Sequence, residues 1–251
     1  MSLFDLTGRW AIVTGANTGI GQAIAIGLAD AGADIVGVGR SAMTETEEKV
    51  VSGGRRFLST TVDLSLAGKA GDVIGEALAS GATPDILVNN AGIIRRADAL
   101  DFTEEDWDAV LDTNLKATFF LCQAFAKAAI SAGRPAKIIN IASLLSFQGG
   151  IRVPSYTAAK SGLAGLTKLM ANEWAAKGIN VNAIAPGYVE TNNTTALRAD
   201  AERSADILKR IPAGRWARAD DMVGAAVFLA ASASDYVHGT ILPVDGGWLA
   251  R

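Results

Sequence analysis

Short strand-like runs at 11–14, 34–38, 57–62, 86–89, 137–141, 180–184 and 241–244 alternate with helical patterns at 18–31, 45–51, 67–79, 104–131, 154–177 and 220–231. No other feature narrows the fold as much. Apolar strands need cover on both faces, and a helix between successive strands supplies it. The alternation predicts an α/β fold: a Rossmann-type, doubly wound parallel sheet of about seven strands with helices on both faces. A length of 251 residues suits one such domain, spanning 1–251, and no repeat, linker or low-complexity tract divides it. A ligand crevice is expected at the carboxyl ends of the strands.

The first strand runs into Thr14-Gly15-Ala16-Asn17-Thr18-Gly19-Ile20-Gly21, after which Ile20, Ala23, Ile24, Gly27 and Leu28 form a helical stripe. A strand entering a helix through such a turn exposes the helix N-terminal amides, which suits a pyrophosphate. Glycine there lets the phosphates approach the backbone. The spacing is Gly-x-x-x-Gly-x-Gly and not the Gly-x-Gly-x-x-Gly of many dinucleotide folds, and glycine also simply closes tight turns. Its place at the first strand-to-helix junction favours dinucleotide binding.

Further along, Ser143 precedes Tyr156-Thr-Ala-Ala-Lys160. With about 3.6 residues per turn, Tyr156 and Lys160 share a helix face. An ammonium beside a phenol is expected to lower the tyrosine pKa, making Tyr156 a proton donor or acceptor near neutral pH, with Ser143 bonding the same substrate oxygen. Alone, the pair reads as an ordinary helix-surface pair, and the other segments decide against that. Asn114 interrupts an apolar helical run, which is costly unless its side chain is bonded. Asp63 could cap the following helix, and Asn89-Asn90 could serve only as turn residues.

Together these segments, with Asn89-Asn90-Ala91-Gly92 and Pro186-Gly187, resemble the short-chain dehydrogenase/reductase family over essentially the whole chain. The resemblance implies a nicotinamide-dependent oxidoreductase with Asn114, Ser143, Tyr156 and Lys160 as a catalytic tetrad. It implies that Asn114 holds a water linking Lys160 to solvent. For the cofactor it implies Gly15, Asn17, Thr18, Gly19, Ile20 and Gly21 at the turn. Asp63 would accept from the adenine amino group with Leu64 beside it, and Asn90, Ala91 and Gly92 would form a wall. Pro186 and Gly187 would lie beside the nicotinamide, Val189 and Thr191 would bond its carboxamide, and Tyr156 and Lys160 would complete the site, Lys160 at the ribose.

The end of the second strand bears on the choice of dinucleotide. Gly39 stands where NAD users commonly place a carboxylate, and Arg40 can fork a 2′-phosphate. This favours NADP(H). Within the family, Ile93-Ile-Arg95-Arg96, the stretch from Phe147 to Tyr156, Ala185-Pro-Gly-Tyr188, Arg210-Ile-Pro-Ala-Gly-Arg215-Trp216 and Val244-Asp-Gly-Gly-Trp248 are similar to bacterial members that act on sugar acids. Their substrates are 2-deoxy-D-gluconate and 2-dehydro-3-deoxy-D-gluconate, usually with NAD, so NAD(H) stays open. Arg96 or Arg152 is expected to clamp the sugar-acid carboxylate, unless both are surface arginines in ion pairs. Gln148 and Asn193, with Ser143 and Tyr156, complete the expected substrate set. The rival readings are a reductase of another sugar acid, a polyol or an acyl-carrier-linked ketone, and a nucleotide-binding redox sensor without turnover.

Composition narrows the partners. A net charge of −3 without a basic block argues against nucleic acid. No apolar segment approaches about 18 residues, so no membrane span is expected. Cys122 and His238 are the sole residues of their types, which excludes a Cys/His metal cluster and leaves any Ser-His-Asp triad resting on His238. Cys122 is expected to be a small core residue. The N-terminal stretch has no basic-then-apolar leader, so the cytoplasm is expected. Only 20% of residues are charged against 49% hydrophobic, which suggests apolar faces buried between subunits of a homotetramer, near the long helices and Ile241.

Overall fold

In the computed structural model, residues 2–66 and 68–251 are described. The strands are β1 (Trp10–Thr14), β2 (Asp34–Gly39), β3 (Phe57–Thr61), β4 (Pro84–Asn89), β5 (Ala136–Ile141), β6 (Ile179–Pro186) and β7 (Ile241–Val244). They form one sheet in the order β3-β2-β1-β4-β5-β6-β7. Every neighbouring pair is parallel, so all seven carboxyl ends lie on one edge. Between them run α1 (Gly19–Asp30), α2 (Thr44–Ser52), α3 (Lys69–Ala79), α4 (Glu104–Leu111), α5 (Ala117–Ser131) and α6 (Pro154–Trp174). Then follow α7 (Thr195–Ala199), α8 (Ala201–Arg210) and α9 (Val223–Ala230).

The period of two along each strand splits the core. Ala11 and Val13 of β1, with Ile86 and Val88 of β4, join Ile24, Leu28 and Leu229 of α1 and α9. Trp10, Ile12 and Leu87 point the other way, toward Val73, Leu121, Phe125 and Met170 of α3, α5 and α6. Both faces are therefore buried, as the alternation predicted. Beneath the β4 edge, the Asn89 side-chain amide donates to Cys122 Sγ at 3.1 Å and to Asn140 Oδ1 at 2.9 Å. Cys122 is fully buried, and burial pushes its thiol up to about 12.

Three departures from the sequence pattern matter for the site. The helix expected over 104–131 is broken by a π-helical turn at Asp112–Lys116, which carries Asn114. A short helix and α8 fill 195–210, where no helix was expected; in α8 only Ile207 is buried. α8 starts because the Asp200 side chain accepts from the Arg203 amide at 2.9 Å. The helix expected from 67 begins at Lys69, and Ala67 lies outside the described residues.

Candidate active site

The crevice opens where the strand order turns back, between β1 and β4. A cavity of about 620 Å³ lies there, walled by Gly15, Asn17, Thr18, Gly19, Ile20, Arg40, Asp63, Leu64, Asn90, Ala91, Gly92 and Thr191. Gly15 and Gly19 have φ of +67° and +58°, left-handed geometry that disfavours any side chain. The turn thus brings bare backbone to the cavity at the N-terminus of α1, a cradle suited to a pyrophosphate. The Thr14 hydroxyl ties the floor together, accepting from the amides of Asn90 at 3.0 Å and Ala91 at 2.9 Å.

Other expected cofactor residues stand differently. Gly21 does not line the cavity: a methyl group on it would collide with the Gly15 carbonyl oxygen and the Asn90 side-chain amide. Its glycine is required by packing between α1 and the β1 end. Val189 is buried in the core, and its carbonyl accepts from Thr194 Oγ1 at 2.7 Å, so it does not face the cavity. Pro186 and Gly187 border a second cavity instead. Asp63 does not cap α3, whose N-terminal flank is Gly68; its Oδ1 accepts from the Ser65 amide at 2.9 Å and hydroxyl at 2.7 Å, and the residue walls the first cavity. These bonds hold its carboxyl below the usual range, with a smaller pull from Arg40.

The second cavity, about 580 Å³, holds Ser143, Tyr156, Gln148, Arg96 and Asn193. Asn193 lines both cavities, and its carbonyl accepts from Arg96 Nη2 at 2.8 Å. Ser143 follows β5, and Tyr156 lies in the first turn of α6. Burial pushes the Tyr156 phenol above its ordinary range; the Ser143 hydroxyl and then the Arg96 charge draw it back in part. This corrects the expectation that Lys160 sets the tyrosine. Lys160 Nζ sits 5.5 Å from the Tyr156 ring centroid and donates to the Ile141 carbonyl at 2.6 Å. Burial lowers Lys160 itself to about 8, so it is a weaker cation than an exposed lysine.

Lys160 therefore costs the cofactor-free fold stability at neutral pH. Its folded pKa lies below the unfolded 10.5, so the penalty is complete below about 8 and vanishes as pH rises through 10.5. Lys160→Met is expected to stabilise the cofactor-free protein at pH 7 by about 1–3 kcal/mol, the lost bond to Ile141 reducing the gain. Urea melts at pH 7 and pH 10 check this, with the gain much smaller at pH 10; equal effects at both would contradict the charge argument.

Asn114 is buried and its side chain is bonded, as an asparagine inside an apolar helical run requires. Its Oδ1 accepts from the Ile93 amide and its Nδ2 donates to the Ile93 carbonyl, both at 2.8 Å. The side chain clamps the loop after β4, and the π-turn is the local distortion that lets it reach. Arg152 is the clearest correction. It pairs with Asp98 at 3.1 Å on the surface, with φ of +62°, and borders neither cavity. The residues missed are Arg203 and Arg210 of α8 with Tyr188 and Trp248, all on the second cavity. Their signal was a seven-residue spacing in a charged segment without an apolar stripe.

Among the described residues, no three His, Cys, Asp or Glu side chains gather as a metal site. No helix is long and apolar enough to cross a membrane.

Comparison with known proteins adds names to this geometry. The family described as enoyl-(acyl carrier protein) reductase matches residues 15–249. A protein of Escherichia coli K12 named 2-dehydro-3-deoxy-D-gluconate 5-dehydrogenase is 61% identical over 251 residues, covering 100% of this chain and 99% of the relative. A Bacillus subtilis protein of the same name is 58% identical over 249 residues, covering 99% and 97%. A crystal structure from Agrobacterium tumefaciens with bound NADP is 62% identical, covers 100% of both chains and superposes with a TM-score of 0.94.

Proposed function

The chain belongs to the short-chain dehydrogenase/reductase family, and from that premise we propose that it interconverts the hydroxy and keto forms of a sugar acid, 2-deoxy-D-gluconate or 2-dehydro-3-deoxy-D-gluconate, with NADP(H). The observation that carries this reading is the junction of the two cavities at Asn193. A glycine-lined cavity suited to a dinucleotide meets one lined by Ser143, Tyr156 and three arginines, with no Asp or Glu on its wall. The names of the Escherichia coli and Bacillus subtilis relatives point to the same substrate class.

When bound, the nicotinamide supplies or accepts the hydride at the substrate carbon. The chain holds the substrate oxygen and moves its proton. In oxidation Tyr156, as phenolate, takes the hydroxyl proton; in reduction the phenol returns it. Ser143 donates a hydrogen bond to the same oxygen, and Arg96 stabilises the negative charge that builds beside it. Lys160 has spent one N–H on Ile141 and keeps the others for the ribose hydroxyls and the proton path. Asn114 positions the 90–93 loop through Ile93.

Arg40 lies on the wall of the first cavity with Gly39, Ser41 and Asp63. No side chain at Gly39 repels a 2′-phosphate, and the Arg40 fork binds it. Arg40→Asp is expected to weaken NADP by about 1.5–3 kcal/mol and to leave NAD equal or better. Fluorescence titration with both dinucleotides measures this, and unchanged NADP affinity would return the assignment to NAD.

The reading includes self-association. Trp107, Phe120 and Leu169 leave 40%, 48% and 45% of their surface exposed on α4, α5 and α6, and we place them between subunits of a homotetramer in the cytoplasm. A monomer mass by light scattering at micromolar concentration would reject that assembly. The function itself is tested by incubating the purified protein with a panel of uronate-derived sugar acids and their polyols, with each nicotinamide. Acids are expected to turn over faster than polyols; equal rates would replace the reading with a general carbonyl reductase.

A further inference from the structure

Among the described residues, five of the fourteen arginines pair with a carboxylate. Arg95 pairs with Asp106, Arg152 with Asp98 and Arg215 with Asp221. The three on the second cavity, Arg96, Arg203 and Arg210, are different. Among the described residues none has an acidic partner within 4.0 Å. They concentrate positive charge in one cavity of a chain whose net charge is −3.

Arg96 and the α8 pair have different neighbours. Arg96 is bonded to Asn193 and acts on Tyr156, so it stands beside the reacting oxygen. Arg210 stacks its guanidinium 3.9 Å from the Trp248 ring centroid. Trp248 is itself buried, and its indole N–H donates to Gln148 Oε1 at 3.1 Å. Arg203 lies two turns earlier on α8, and both guanidiniums act on the phenol of Tyr188, whose ring packs 4.7 Å from Trp248. Stacking occupies one face of the Arg210 plane and leaves its N–H edge free for a planar anion.

We propose that Arg203 and Arg210 of α8 read the carboxylate of the substrate, and that their distance from Tyr156 selects which carbon reacts. This rests on the sugar-acid reading above. A carboxylate accepts two parallel bonds from the Arg210 fork, while Arg203 closes over it from the N-terminal turn of α8. Held at that end, a hydroxy acid presents one remote carbon to Ser143 and Tyr156. The acid recognised is therefore one whose carboxylate lies far from the reacting carbon. Gln148 and Trp248 are positioning residues that act through Arg210.

The test compares wild type with Arg203→Gln and Arg210→Gln, using 2-dehydro-3-deoxy-D-gluconate, its uncharged amide, and NADP(H) titration. Each variant is expected to lose roughly 10- to 100-fold in kcat/KM on the acid, mainly through KM. The amide rate and the dinucleotide affinity should match wild type. Arg210→Lys should stay impaired, since a point charge reproduces neither the stack nor the fork. Equal losses on acid and amide, loss of dinucleotide affinity in both glutamine variants, or no loss on the acid would overturn the assignment. If wild type turns over the acid and the variants do too, only the α8 assignment falls. Wild type inactive on every sugar acid would overturn both this and the functional reading.

Discussion

Tyr156→Phe is expected to lower kcat by about 10²- to 10⁴-fold while NADP affinity survives. The substitution removes the proton-transfer oxygen and keeps the ring, whose place in the first turn of α6 depends on shape. Burial holds the wild-type phenol above its ordinary range, with Ser143 and Arg96 opposing it. Wild-type oxidation should therefore accelerate as pH rises and phenolate forms, and reduction should slow. The variant loses that pH dependence along with the rate. Stopped-flow rates across pH in both directions decide the matter: more than about a tenth of wild-type activity would remove Tyr156 as the acid/base.

Gly21→Ala is expected to damage stability and dinucleotide affinity together, although the residue touches no ligand cavity. A methyl group there meets the Gly15 carbonyl and the Asn90 side chain, and backbone cannot step aside as a flexible side chain would. Overpacking of this kind costs about 1–3 kcal/mol, and any relaxation moves the cradle that Gly15 and Asn90 form. Gly75→Ala in α3 is the contrasting case, because nothing lies within 4 Å of the added methyl. It should stabilise by about 0.5–1 kcal/mol through helix propensity. Urea melts and NADP titration of the two variants measure the pair of effects, and a neutral Gly21→Ala would refute the packing account.

What could be seen in the sequence follows from how local its physical cause is. All seven strands showed because short runs bounded by turns need no distant partner to recognise them. Gly15, Asn90, Ser143 and Pro186 were visible because strand ends of a parallel sheet meet at one edge whatever the loops do, and Tyr156 by its four-residue spacing to Lys160 on one helix. The π-turn was invisible because its cause is the pull of Ile93 on Asn114 across the sequence. α8 was hidden because it buries little beyond Ile207 and is amphipathic by charge instead. Arg152 looked well placed because it precedes Tyr156 by one turn's worth of chain, but it lies before α6 begins, where Asp98 captures it. The tyrosine pKa failed for a similar reason: sharing a helix face places Lys160 near the ring, yet the Ile141 carbonyl decides where its ammonium ends.

The single thiol has a practical consequence. Cys122 is fully enclosed beneath the β4 edge, its Sγ accepts from Asn89, and its thiolate is suppressed. A soluble thiol reagent can reach it only when the strands and α5 part, so labelling counts openings of the central fold one molecule at a time. With no second cysteine to confuse the record, the chain carries its own clock for ligand protection. Any compound that holds the closed state slows that clock, whether or not it is turned over.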